Sequence, residues 1–112
     1  MTATIMSFPN VYLGIDPGKD GALVAINEDG KVEANFMTRR DFTTAIGKGS
    51  KREYLISRMN YAVRCLGGKR NIKLAAIEKQ SARPGQGVTS TFSTGYGYGL
   101  WVGVLSANGV PF

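Results

Sequence analysis

The chain contains no histidine. That removes imidazole acid–base catalysis and the commonest nitrogen ligand of zinc, leaving chemistry to carboxylates, lysine, tyrosine, serine or a hard metal ion. Cysteine occurs once, as Cys65. It forms no internal disulfide, falls in an apolar helical pattern, and fits a reducing, cytoplasmic compartment. No apolar run approaches the roughly 20 residues of a membrane span. Residues 1–10 lack the basic start and long apolar core of a signal peptide and read as a loose N-terminal segment. Acids are scarce, eight Asp and Glu against fourteen Lys and Arg, for a net charge of +6. Such a surplus suits a polyanionic partner, because each phosphate neutralised by a basic side chain releases counterions. Repeats and low-complexity segments are lacking too.

What is present fits one domain with a modest core: 112 residues, 43% of them apolar, with fifteen glycines. Val11–Asp16 is almost continuously apolar, as a strand covered on both faces should be. Asp20 and Gly21 punctuate, Ala22–Asn27 reads as a second strand, and "NEDGK" predicts a hairpin with positive backbone angles at Asp29-Gly30. Lys31–Met37 alternates more loosely, as a third strand nearer an edge. Residues 38–52 are polar, glycine-bearing and basic, and read as a loop. A helix follows from about Arg52 to Leu66, with Leu55, Met59, Ala62 and Leu66 on one face, Glu53 in its first turn and Gly67-Gly68 as its stop. Ile72–Glu78 is a second apolar run ending in an acid. After the loop "KQSARPGQG", Thr89 or Ser90 caps a helix to about Ala107, closed by Asn108-Gly109. Gly95, Gly99, Gly103 and Ala107 recur along it at a spacing of four, beside a bulkier stripe of Phe92, Tyr96, Leu100 and Val104. Glycine costs up to about 1 kcal/mol per position in a helix. Close packing along the small stripe, against the sheet or an identical helix of a homodimer, offsets that cost.

Two strands thus end in a carboxylate, Asp16 and Glu78. If the intervening helix lays the later strand parallel to the first, the acids come side by side at one sheet edge, because neighbouring strands lie about 4.8 Å apart. Paired carboxylates repel unless a cation lies between them. Magnesium prefers a few carboxylate oxygens, retained water and substrate phosphate, and two such ions clamp a phosphodiester for in-line cleavage. A bland alternative stands beside this, since Asp-Pro-Gly is also a good turn sequence with no metal at all.

"YLGIDPGKDGALVAI", "LAAIEKQ" and "TFSTGYGYGLWVGVLSANGVPF" resemble the RuvC-type Holliday junction resolvases, over about residues 11–112 and weakly between 38 and 70. The short "DPGxxGA" turn is similar to that of bacteriophage and phage-like members. The resemblance implies a ribonuclease H-like α/β fold: an antiparallel three-strand meander, a parallel fourth strand, the start of a fifth at "VPF", and helices packed on the sheet. It also implies a homodimeric, magnesium-dependent endonuclease that resolves four-way DNA junctions in recombination and repair, with two Mg2+ per complete site, replaceable by Mn2+. Its setting is the cytoplasm of a bacterial cell or phage-infected host. Asp16 and Glu78 match the catalytic, metal-binding acids of the first and fourth strands. Gly95, Gly99 and Pro111 match the helix pattern and the entry to strand five.

The sequence departs from the family in two places. Some members carry a base-stacking aromatic three residues after the glutamate, where this chain has Ser81. The family's remaining ligands, usually two acids on a C-terminal helix, would lie beyond Phe112. A C-terminally truncated resolvase that cuts poorly or not at all alone is the expectation. Phosphate contacts are assigned to the basic loop, Arg39, Arg40, Lys48, Lys51 and Arg52, to the loop after the fourth strand, Lys79, Arg83 and Gln86, and to Lys19 beside Asp16. Two rivals remain: a non-catalytic DNA-binding or dimerising module of the same fold, and a fragment of an actin-like ATPase or sugar kinase, whose first strand opens similarly.

Overall fold

The computed structural model describes residues 8–79 and 84–112. Its centre is a four-stranded mixed sheet in the order β3-β2-β1-β6. The strands β1 (Asn10–Asp16), β2 (Ala22–Asn27) and β3 (Val32–Met37) form the antiparallel meander that the hairpin signals predict. Asn27 organises the second turn, its Oδ1 accepting from the backbone of Asp29 and Lys31, both at 3.0 Å. Gly30 alone takes the left-handed conformation, at φ +82°. Asp29 does not, so the positive angle expected at both positions is carried by the residue that lacks a β-carbon.

β6 (Asn71–Ile77) lies parallel to β1, with Val11 opposite Ile72 and Ile15 opposite Ile77. The parallel crossover runs through α2 (Ile56–Gly68), which buries Met59, Ala62, Val63 and Leu66 against the sheet. α3 (Val88–Ala107) follows β6. One face of the sheet, Leu13, Ile15, Leu23, Ala25 and Ala75, meets these helices and closes on Trp101 and Leu105, both fully buried. Phe42 packs edge-on against Trp101, with centroids 5.4 Å apart. The opposite face carries an exposed apolar row across all four strands: Leu74, Tyr12, Ile26 and Val32.

Residues 38–52 are a loop only between 46 and 51. They hold α1 (Thr38–Phe42) and β4 (Thr43–Ala45), which pairs with β5 (Arg52–Tyr54) in a small antiparallel ribbon. Polar composition hid this because the ribbon is held by side-chain bonds that composition does not reveal. Arg52 donates from Nε to Thr43 Oγ1 at 2.7 Å, and Thr43 Oγ1 donates to the Arg39 carbonyl at 2.6 Å. Helix α2 therefore begins at Ile56 rather than Arg52, and Glu53 belongs to a strand instead of a first helical turn. Cys65, which falls in the apolar helical pattern but outside its buried face, is exposed on α2.

The stop of α3 follows its sequence signal closely. Gly109 adopts φ +66°, its N–H bonds the Ser106 carbonyl at 3.1 Å, and the Val110 N–H bonds that of Leu105 at 2.9 Å. This pair of bonds satisfies carbonyls that a helix end otherwise leaves open. Beyond it, the Pro111 carbonyl accepts from Ala75 of β6 at 2.8 Å. Residues 110–112 make this single ladder bond without forming a strand. Among the described residues, no helix is long and apolar enough to cross a membrane.

Candidate functional site

β1 ends at Asp16 in a turn built from its own backbone. The Gly21 N–H bonds the Gly18 carbonyl at 2.9 Å, and Asp16 Oδ1 accepts from the Gly18 N–H at 3.3 Å. Only glycine fits at position 21, because a β-carbon there would collide with the Asp16 carbonyl. Thr38 at the start of α1 donates its N–H to the Gly21 carbonyl at 3.1 Å, which ties the far side of the turn.

From the other side, α3 and β5 clamp the same turn. Pro17 is fully buried, and Tyr54 donates its hydroxyl to the Pro17 carbonyl at 3.3 Å. Gly97 lies against this contact. A β-carbon there would clash with the Tyr54 hydroxyl and come within 2.7 Å of the Pro17 carbonyl. Within one copy of the chain, the close backbone approach falls at Gly97, a glycine outside the Gly95, Gly99, Gly103 and Ala107 stripe. A β-carbon at Gly95, Gly99 or Gly103 meets no described atom within 4 Å. Gly99, Gly103 and Ala107 instead line an open apolar groove of about 410 Å³ shared with Ile56 and Asn60 of α2. Of the bulkier stripe, Val104 is buried, while Phe92 is 72% and Tyr96 46% exposed.

Glu78 directly follows β6. Its N–H donates to the Ile15 carbonyl at 3.1 Å, so the parallel ladder continues to the residue beside Asp16. Ile15 and Ile77 are opposed in the ladder, so Asp16 and Glu78, each one residue further, leave the sheet at the same edge. Both are exposed. Two residues sixty-two positions apart are thereby set on adjacent strand ends. Oxygen donors in such a pair suit one hard divalent ion completed by water or phosphate oxygens. Among the described residues, no group of three or more His, Cys, Asp or Glu side chains converges to hold a metal ion.

The basic residues divide into committed and open ones. Lys19 Nζ lies 5.7 Å from the centroid of the Tyr54 ring, next to the acid edge. Arg39 pairs with Asp20 at 2.8 Å, and that bond, with the arginine's charge, holds the Asp20 carboxyl below its usual range. Arg40 grips Asp41 through two bonds of 3.1 and 3.0 Å, lowering the Asp41 carboxyl likewise. Arg52 is spent on the β4–β5 ribbon, where its guanidinium also reaches the carbonyls of Arg39 and Thr43 at 3.2 and 3.3 Å. Lys48, Lys51 and Lys79 are exposed. Gln86 bonds Thr94 Oγ1 at 3.4 Å, and Arg83, like Ser81, lies outside the described residues. Burial raises the Tyr54 phenol above its ordinary value, and the charges of Asp16 and Asp20 push it the same way.

Sequence reasoning missed Tyr54 and Gly97, the two residues that hold the turn. The signal was present only as an aromatic in a basic stretch and a glycine off the four-residue period. No protein-family model matches the chain, and no curated protein sequence matches it significantly.

Proposed function

We propose that the chain carries the acid edge of a magnesium-dependent, structure-specific endodeoxyribonuclease of ribonuclease H-like fold, similar to the RuvC-type resolvases. One observation carries this reading: Asp16 ends β1, and Glu78 directly follows the parallel, neighbouring β6, its N–H bonded to the Ile15 carbonyl. A three-strand meander joined through a helix to a parallel fourth strand supports it, as does the net charge of +6. Asp16 and Glu78 would hold the Mg2+. When bound, that ion supplies positive charge for a phosphate oxygen and a more acidic water. Lys19 offers a cation for a phosphate beside the acids, while Tyr54 and Gly97 keep the Asp16 turn in place. Lys48, Lys51 and Lys79 supply further charge for the DNA backbone, and a homodimer would present two such edges to a four-way junction.

A second reading is favoured by the donor count. With no group of three or more His, Cys, Asp or Glu side chains converging among the described residues, the chain also fits a DNA-binding module that does not cut.

Junction binding titrated with Mg2+, together with Mn2+ affinity read by electron paramagnetic resonance, separates the two. The nuclease reading expects junction affinity to rise with Mg2+, and Mn2+ affinity to fall at least about tenfold in Asp16→Asn and Glu78→Gln. Junction affinity indifferent to Mg2+ and to both substitutions would leave only the binding module. No junction binding under any condition sinks both.

A further inference from the structure

Phe92 and Tyr96 lie one helical turn apart on α3 and take no part in the core. Their rings are nearly parallel, 8° between planes with centroids 6.0 Å apart. Both are exposed, Phe92 more than Tyr96. Large rings left in water forgo the stabilisation that burial brings, and here two are held face-parallel. Inward, Tyr96 meets Tyr54 edge-on at 5.9 Å. Tyr54 in turn holds the Pro17 carbonyl and lies under Lys19. A continuous series of rings thus leads from the Asp16 turn out along α3, with a cation at its inner end.

The surroundings suit a flat, uncharged face. Residues 88–107 contain no charged side chain. At i+3 from each ring stand Gly95 and Gly99, exposed and with no described atom within 4 Å of where a β-carbon would lie. Among the described residues, none at these two glycines blocks the approach of a planar group. Aromatic platforms beside phosphate-binding cations are how proteins hold unpaired bases, since every base has a π-face.

We propose that Phe92 and Tyr96 form a stacking platform for an unpaired nucleobase of DNA held at the acid edge. This rests on the reading of that edge as a DNA-binding site. Phosphates lie towards Lys19, and the base extends along α3 onto the two rings.

The test uses the full chain and three probes: a single-stranded oligothymidylate, an abasic backbone of equal length, and a four-way junction with 2-aminopurine at the crossover. Wild type is compared with Phe92→Leu/Tyr96→Leu, which keeps apolar bulk and removes the π-faces, and with Phe92→Leu alone, whose exposed position leaves the fold intact. Circular dichroism checks folding. The wild type is expected to prefer oligothymidylate over the abasic strand by at least about fivefold per stacked base, and to quench 2-aminopurine. The double variant should bring that preference close to one and relieve the quenching, while abasic-strand affinity stays put; the single variant should shift both part way. Equal binding of thymidylate and abasic strand by wild type overturns the platform but leaves phosphate binding at the acid edge standing. A preference that survives the double substitution also overturns it. So does a wild-type dimer in sedimentation that the double variant disperses without any base preference, which would assign the rings to a protein interface. If no probe binds, the platform falls together with the DNA-binding reading beneath it.

Discussion

Tyr54 does at the scale of one residue what no motif announces. Its ring is packed between α3 and the Asp16 turn, and its hydroxyl gives the Pro17 carbonyl a partner at 3.3 Å. Removing the hydroxyl in Tyr54→Phe is expected to cost about 0.5–1.5 kcal/mol at neutral pH, the usual worth of one such bond. The pH dependence should move the other way. A phenol whose folded pKa is raised stays neutral in the folded protein while the unfolded chain ionises. Its stabilising contribution is complete below the unfolded value near 10 and is lost as pH rises through the higher folded value. Urea unfolding between pH 8 and 11 should therefore show a steeper alkaline loss in wild type than in Tyr54→Phe. Equal slopes would show that Tyr54 titrates alike in both states.

At the scale of elements, the glycines of α3 separate into two kinds. A spacing of four put Gly95, Gly99, Gly103 and Ala107 on one stripe, and close packing was the natural inference. Contact at Gly97 is instead decided by the clamp on the Pro17 turn, which no helical period encodes. Opposite outcomes follow for two similar substitutions. Gly97→Ala forces a β-carbon into the Tyr54–Pro17 contact and should destabilise by about 1–3 kcal/mol. Gly95→Ala meets no described atom and should stabilise by up to about 1 kcal/mol through helix propensity. Thermal melts of the two variants decide the matter, and a melting point raised by Gly97→Ala would refute the clamp. The β4–β5 ribbon is the second lesson at this scale. Its strands of three residues each are too short for a periodic signal, and the arginine that holds them looks from sequence like one more surface cation.

Across the whole molecule, charge is less available than its total suggests. Of the five cations in the basic stretch, Arg39 and Arg40 are engaged by acids and Arg52 by backbone and hydroxyl oxygens. Lys48 and Lys51 remain exposed on the segment between β4 and β5. Charge reversal there, Lys48→Glu with Lys51→Glu, is expected to weaken junction binding and to flatten its dependence on log salt by about 0.9 for each phosphate no longer neutralised. Arg52→Gln should do something different, lowering the melting temperature while leaving that slope unchanged. Should Arg52→Gln flatten the slope and spare stability, its role would be to bind DNA after all.

Much of this molecule was legible locally. Apolar runs ended by Asp16 and Glu78, turns marked by Gly21, Gly30 and Gly109, and the apolar face of α2 all follow from rules linking neighbours in the chain. The parallel pairing of β6 with β1 could be anticipated because a helical crossover between strands favours it. Tertiary structure alone decided which glycine is pressed against another backbone, which arginines are already paired, and which aromatics stay in water. Each of those depends on what stands across from a side chain rather than beside it. Asp20 and Arg39, like Gly97 and Pro17, are brought together by folding, and sequence separation carries no trace of it.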